Sequence, residues 1–177
     1  MIKMEVIMKI LKISIDGLPH FQNDLDIDFV AQQRVDDDDK EQLSNVFSNI
    51  YTNPALSFIG INASGKTTIL KVISFVIELL NNKPINNISS NEIISDINGG
   101  QRVTFSAYFY HENIIYKLKT TIGKKENPVD GSTKFIILDE ALWSKEIHRI
   151  KTKKSLYDFR DSDLKTERNS NEQYLME

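Results

Sequence analysis

The run Gly60-Ile61-Asn62-Ala63-Ser64-Gly65-Lys66-Thr67-Thr68 meets every fixed position of the phosphate-loop pattern G-x-x-x-x-G-K-[ST]. The letters constrain the backbone as much as the chemistry. Glycines at 60 and 65 permit conformations that a side chain forbids, so that successive amide N–H groups turn inward toward one anion. The pattern also demands a strand before it and a helix after it. Leu56-Ser57-Phe58-Ile59 reads as a short apolar strand, and Ile69 to Leu80 reads as a helix with a wide apolar face.

Within such a loop each residue type has a task. A helix beginning near Lys66 presents the positive end of its dipole to phosphate, and Lys66 adds a mobile point charge for the β and γ phosphates. The Thr67 hydroxyl is placed to ligate Mg²⁺, and Thr68 falls toward the α-phosphate side. The expected cofactors are therefore ATP and Mg²⁺. The nucleotide-binding set is Gly60, Asn62, Ala63, Ser64, Gly65, Lys66, Thr67 and Thr68, with Thr67 as the metal ligand.

The 177 residues suffice for one domain with a sizeable core and are too few for two ordinary ones. A formal net charge of -3 gives no global attraction to nucleic acid. No apolar run reaches membrane-spanning length, and residues 1–7 lack a signal-peptide pattern, so a cytoplasmic location is expected. Cysteine is absent, which excludes disulfides, thiolate catalysis and cysteine-based zinc sites. His20, His111 and His148 are scattered without metal-ligand spacing and read as surface or turn residues.

Two alternating segments, Lys9 to Ile15 and Leu25 to Val30, read as paired strands around the turn Asp16-Gly17-Leu18-Pro19-His20. Residues 31–50 read as a polar insertion whose run Asp36-Asp37-Asp38-Asp39-Lys40 is a solvated charge cluster. Residues 86–101 form a polar connection with room for one short helix. A hairpin then follows, Val103–Tyr110 with Ile114–Ile122, and a third strand over Lys134–Leu138. From Lys151 the chain is charged and poor in apolar residues, so 161–177 reads as a polar tail or truncated element beyond a domain spanning 1–160.

Phe135-Ile136-Ile137-Leu138-Asp139-Glu140, four apolar residues followed by two acids, fits a Walker B strand. On that reading Asp139 holds Mg²⁺ through water and Glu140 polarises the attacking water. The competing reading is a strand with an acidic turn, after which Ala141-Leu142-Trp143 packs back on the sheet. Phe21 or His20 in the first turn could stack on an adenine, or pack on the core. His148 to Lys154 is a basic stretch that reads as a solvated face.

The opening Met8-Lys9-Ile10-Leu11-Lys12-Ile13-Ser14-Ile15, the return strand from Leu25 to Phe29, the G-x-N-x-S-G-K loop and the later hairpins resemble the N-terminal part of ABC-type ATPases of the SMC and RecF kind. They are similar, more closely, to AAA-family ATPases related to the overcoming-lysogenization-defect nucleases. The resemblance implies an α/β P-loop NTPase lobe, with a central sheet, a P-loop helix and antiparallel β-hairpins. It also implies that two such heads sandwich ATP as a homodimer or head-to-head pair, and it alone implies a nucleic-acid partner. Such heads also need an L-S-G-G segment, which this sequence lacks. The expected function is the ATP-binding portion of an ATPase, using ATP to drive dimerisation or partner engagement, with hydrolysis completed by other segments or a partner. The alternatives are a self-sufficient P-loop ATPase or kinase-like enzyme using Asp139 and Glu140, and a non-catalytic interaction module.

Overall fold

The structure, a computed structural model, describes residues 8–19, 21, 23–61, 65–97, 100–172 and 175. In chain order its main elements are β1 (Lys9–Asp16), β2 (Leu25–Asp28), β3 (Ser44–Phe47), β4 (Ile50–Thr52) and α1 (Lys66–Leu80). Then come β5 (Val103–His111), β6 (Ile114–Glu126), β7 (Thr133–Glu146), α2 (Lys153–Leu156) and β8 (Asp163–Glu172). One sheet of six strands runs in the order β2-β1-β5-β6-β7-β8, and β3-β4 forms a separate two-stranded hairpin.

Every pairing in the large sheet is antiparallel. This corrects the expectation of an α/β P-loop NTPase lobe built on a central sheet of that fold. The physical reason lies in the connections. Short turns at 112–113 and 127–132 join β5, β6 and β7 as consecutive hairpins, which need no crossover, whereas a parallel pair needs a long one. The segment Leu56–Ile59, expected to be the strand entering the loop, forms no ladder, and Ile59 is 94% exposed.

A single long helix covers one face of this sheet. In α1, Val72, Phe75, Val76 and Leu79 recur at helical spacing and are buried against Ile13, Ile15, Val103, Phe105, Leu118 and Ile122. Phe75 stacks on Phe105 with ring centroids 5.0 Å apart. Burying a side chain of this size stabilises by about 1.5–3 kcal/mol. The helix stops at Asn81, whose backbone N–H donates to the Ile77 carbonyl, with Asn82 at φ 57 and Pro84 just beyond. Two short 3-10 turns, Ile85–Asn87 and Asn91–Ile94, then return the chain across the sheet edge, where Asn86 exchanges two hydrogen bonds with the Phe135 backbone.

On the opposite face a smaller core joins Leu11, Tyr108 and Ile115 to Val46 and Ile50 of the β3-β4 hairpin and to Leu156 of α2. A register shift between Ile10 and Lys12 turns Leu11 to this face. The insertion read as a polar loop therefore contains a 3-10 turn at Asp37–Gln42 followed by a covering hairpin. The stretch read as a tail contains β8, which pairs along β7, and Leu175 joins the core beneath α1.

Candidate functional site

The phosphate-loop motif sits where α1 begins, at the end of the sheet marked by the β1-β2 turn. Gly65 is the residue preceding the helix and has φ 84, a left-handed conformation that glycine adopts without strain. A Cβ at Gly65 would meet Phe21 Cζ at 3.4 Å, so the first turn of the chain packs directly on the loop. Phe21, one candidate for adenine stacking, is thus a half-buried neighbour of Gly65 that also packs on the main core. His20, the other, lies outside the described residues.

The turn is itself held by a close backbone approach. Gly17 has φ 75, and a Cβ there would come within 2.5 Å of the Arg102 carbonyl oxygen. That contact joins the end of β1 to the start of β5 and fixes the platform on which Phe21 and Gly65 meet.

Lys66 folds back over the loop. Its half-buried ammonium donates from Nζ to the Gly60 carbonyl at 2.8 Å and to the Ile61 carbonyl at 2.7 Å. Thr67 is exposed and Thr68 half-buried in the first helical turn. Helix geometry leaves first-turn N–H groups without carbonyl partners inside the helix, and Gly65 supplies no side chain to cap them. Asn62, Ala63 and Ser64 lie outside the described residues. Gly60 meets Lys66 through the ammonium, and Gly65, Thr67 and Thr68 flank Lys66 at the start of α1, without the preceding strand that the motif demands.

Asp139 and Glu140 are placed differently. Both lie inside β7, which continues through them to Glu146. Adjacent residues of a strand point to opposite faces, and these do. Glu140 continues the row Phe105, Thr120, Glu140, Arg168 on the face that carries α1, and its Oε2 accepts from Arg168 Nη2 at 3.0 Å. Asp139 lies on the other face, where the Thr121 hydroxyl donates to its Oδ1 at 3.0 Å. The two carboxylates do not converge on one point. Their sequence signal as a strand was sound, but nothing in the letters revealed that the strand runs on past them.

Three half-buried or buried cations were not foreseen as structural. Lys145 donates to the carbonyls of Ser155, Leu156 and Asp158 and lies 4.7 Å from the Phe159 ring centroid. Burial pushes its ammonium below the usual lysine range. Lys153 reaches the carbonyls of Ala31, Gln32 and Gln33 and ties α2 to the insertion. Lys117 lies between the rings of Tyr108 and Trp143, at 5.6 and 5.4 Å, and burial also lowers its pKa.

Among the described residues no group of three or more His, Cys, Asp or Glu side chains is arranged to hold a metal ion, and no helix is long and apolar enough to cross a membrane. No family model, curated protein or solved structure matches the chain.

Proposed function

We propose that this chain binds Mg-ATP through the loop Gly60–Thr68 and serves as the nucleotide-binding portion of a cytoplasmic ATPase of the ABC/AAA type. The observation that carries this reading is the Lys66 ammonium held over the Gly60 and Ile61 carbonyls at the start of α1. It stands beside a left-handed Gly65 and a first helical turn without a side-chain cap.

The residues present suit a polyphosphate. Bound ATP supplies the negative charge and the phosphate oxygens. Lys66 would exchange two neutral carbonyl acceptors for charged ones, and charge-assisted hydrogen bonds are roughly twice as strong. The exposed Thr67 hydroxyl would contribute an oxygen ligand to Mg²⁺, and the helix N-terminus would face the phosphates.

Hydrolysis in this reading draws on groups from a partner or from segments beyond these residues, because Asp139 and Glu140 point to opposite faces. Bare apolar surface beside the loop supports such engagement. Ile59 is 94% and Ile61 84% exposed, and Leu70 and Ile77 at 58% and 40% line the side of α1 turned away from the sheet. A helix apolar on both sides is suited to a second contact. ATP would drive a homodimer or a head-to-partner pairing over this surface.

Sedimentation of the chain with and without Mg-ATP tests the second half of the proposal. A nucleotide-dependent gain in mass that Leu70→Asp abolishes supports it, and a mass indifferent to ATP at saturating occupancy rejects it.

A further inference from the structure

On the sheet face opposite α1, the β3-β4 hairpin and residues 147–159 pack over Leu11, Tyr108 and Ile115 at one end. Beyond them Ser14, Ser106, Lys119, Asp139 and Ala141 are half-buried, while Thr121 and Ile136 of the same face are buried. Cross-strand rows show what lies there. One row reads Ser14, Ser106, Lys119, Ala141 and Glu167, and the next reads Lys12, Tyr108, Lys117, Trp143 and Leu164. Toward the end that bears the phosphate loop, β6 and β7 run on past β5 as a two-stranded arm, on which Lys125 and Lys134 stand directly opposite each other.

Cations therefore follow one another along β6. Lys117, Lys119 and Lys125 lie on this face, with Lys134 across from the last and the exposed Arg102 at the start of the neighbouring strand. From Lys117 to Lys125 the track is about 27 Å long. Like charges directly opposite in a sheet are destabilising, so the Lys125 and Lys134 pair is not there for the fold. Acids are present but set apart or occupied. Asp26 is bonded to Lys12 on the β1-β2 side, Asp28 stands opposite Lys12 and accepts from Tyr157 and Gln32, Asp16 lies at the β1 end, Asp139 accepts from Thr121, and Glu167 stands on the far strand β8.

We infer that this face binds single-stranded nucleic acid. The cations supply phosphate contacts at strand spacing, and the half-buried Ser106 supplies a hydroxyl donor between them. The half-buried Trp143, which belongs to neither core, offers a ring for a base to stack on beside Lys117. The strip over β5, β6 and β7 is about 10 Å wide, which suits one strand laid along the sheet. An acidic peptide would use the lysines but not the ring. This inference needs no nucleotide at the loop, and it stands or falls separately from ATP binding.

Trp143 is the chain's sole tryptophan, so its fluorescence reports from this face alone. The test is a titration, without ATP, of an oligothymidylate and an oligouridylate of about 15 nucleotides, followed both by anisotropy of the labelled strand and by Trp143 emission. Binding that quenches Trp143 and weakens with salt is expected. Lys119→Gln with Lys125→Gln should reduce the salt slope by about 1.4, at about 0.7 per lost phosphate contact on a single strand, and lower affinity roughly tenfold. Lys83→Gln, on the α1 side, should change neither. The two oligomers together show whether DNA or RNA is preferred. Four outcomes overturn the inference: no binding at low salt, binding undiminished in the folded double variant, a duplex bound as tightly as the single strand, or polyglutamate competing as well as the oligomer.

Discussion

Arg168 Nη2 lies 3.0 Å from Glu140 Oε2, and the Glu140 side chain is only 2% exposed. The pair joins β7 to β8 within the sheet face that carries α1, so the second acid of an apparent Walker B strand is engaged in holding the sheet edge. Removing one partner of a buried ion pair leaves an uncompensated charge. Arg168→Met is expected to destabilise by about 3 kcal/mol in urea unfolding. Glu140→Leu combined with Arg168→Met should recover most of that loss. A single variant as stable as wild type would show that the pair carries no structural load.

Gly17 supplies a second check, on the platform beneath the loop. With φ 75 and the Arg102 carbonyl oxygen 2.5 Å from any Cβ, alanine is both strained and in collision. Gly17→Ala should cost about 1–3 kcal/mol. Gly100→Ala, also left-handed but with open space around it, should cost less. Equal costs in thermal or chemical unfolding would remove the steric part of the explanation.

Much of this architecture was legible in the letters because it depends on local pattern. The alternation of Lys9 to Ile15 and of Val103 to Tyr110 marks half-buried strands, and the spacing of Val72, Phe75, Val76 and Leu79 marks the buried side of a helix. The left-handed Gly65 and the helix start at Lys66 were readable too, since the motif places a glycine just before a helix. Tertiary choices were not. Leu56–Ile59 has strand composition, yet a strand exists only with a ladder partner, and none pairs with it. β8 was unreadable for the converse reason: Asp163–Glu172 is polar but for Leu164 and is a strand because β7 lies beside it. The insertion concealed β3 and β4 behind its aspartates, because strands of four and three residues are too short to show a period. Nothing in the letters marks Lys145, and only the fold brings three carbonyls to it.

That cage is open to a direct test. Lys145→Met keeps the aliphatic stem but strands the carbonyls of Ser155, Leu156 and Asp158, a loss of about 1–3 kcal/mol. The 147–159 segment should loosen first, appearing as faster amide exchange or proteolysis there than in α1. Uniform loosening of the whole chain would mean that the segment has no stability of its own to lose.

Glu78 sets a pH dependence. The Lys83 ammonium hydrogen-bonded to it, with help from the Ser89 hydroxyl, holds its carboxyl down to about 2, against an ordinary 4.5. A carboxyl whose folded pKa is depressed contributes stability that is complete above its unfolded value and is lost as pH falls through the folded one. Melting temperature should therefore decline between about pH 4.5 and about pH 2, and Glu78→Gln should flatten that decline. The group is accessible to solvent, so added salt should shrink the difference between the two proteins. An acid limb identical in both would assign the loss to other carboxylates.

The central claim is that Gly60–Thr68 is a working phosphate site, and an equilibrium titration with fluorescent ATP and Mg²⁺ tests it most directly. Wild type is expected to bind saturably. Lys66→Ala, confirmed as folded, should bind roughly ten- to a hundredfold more weakly, the equivalent of about 1.5–3 kcal/mol of charged hydrogen bonding. Equal affinity in the two proteins, or no binding by folded wild type, would contradict it.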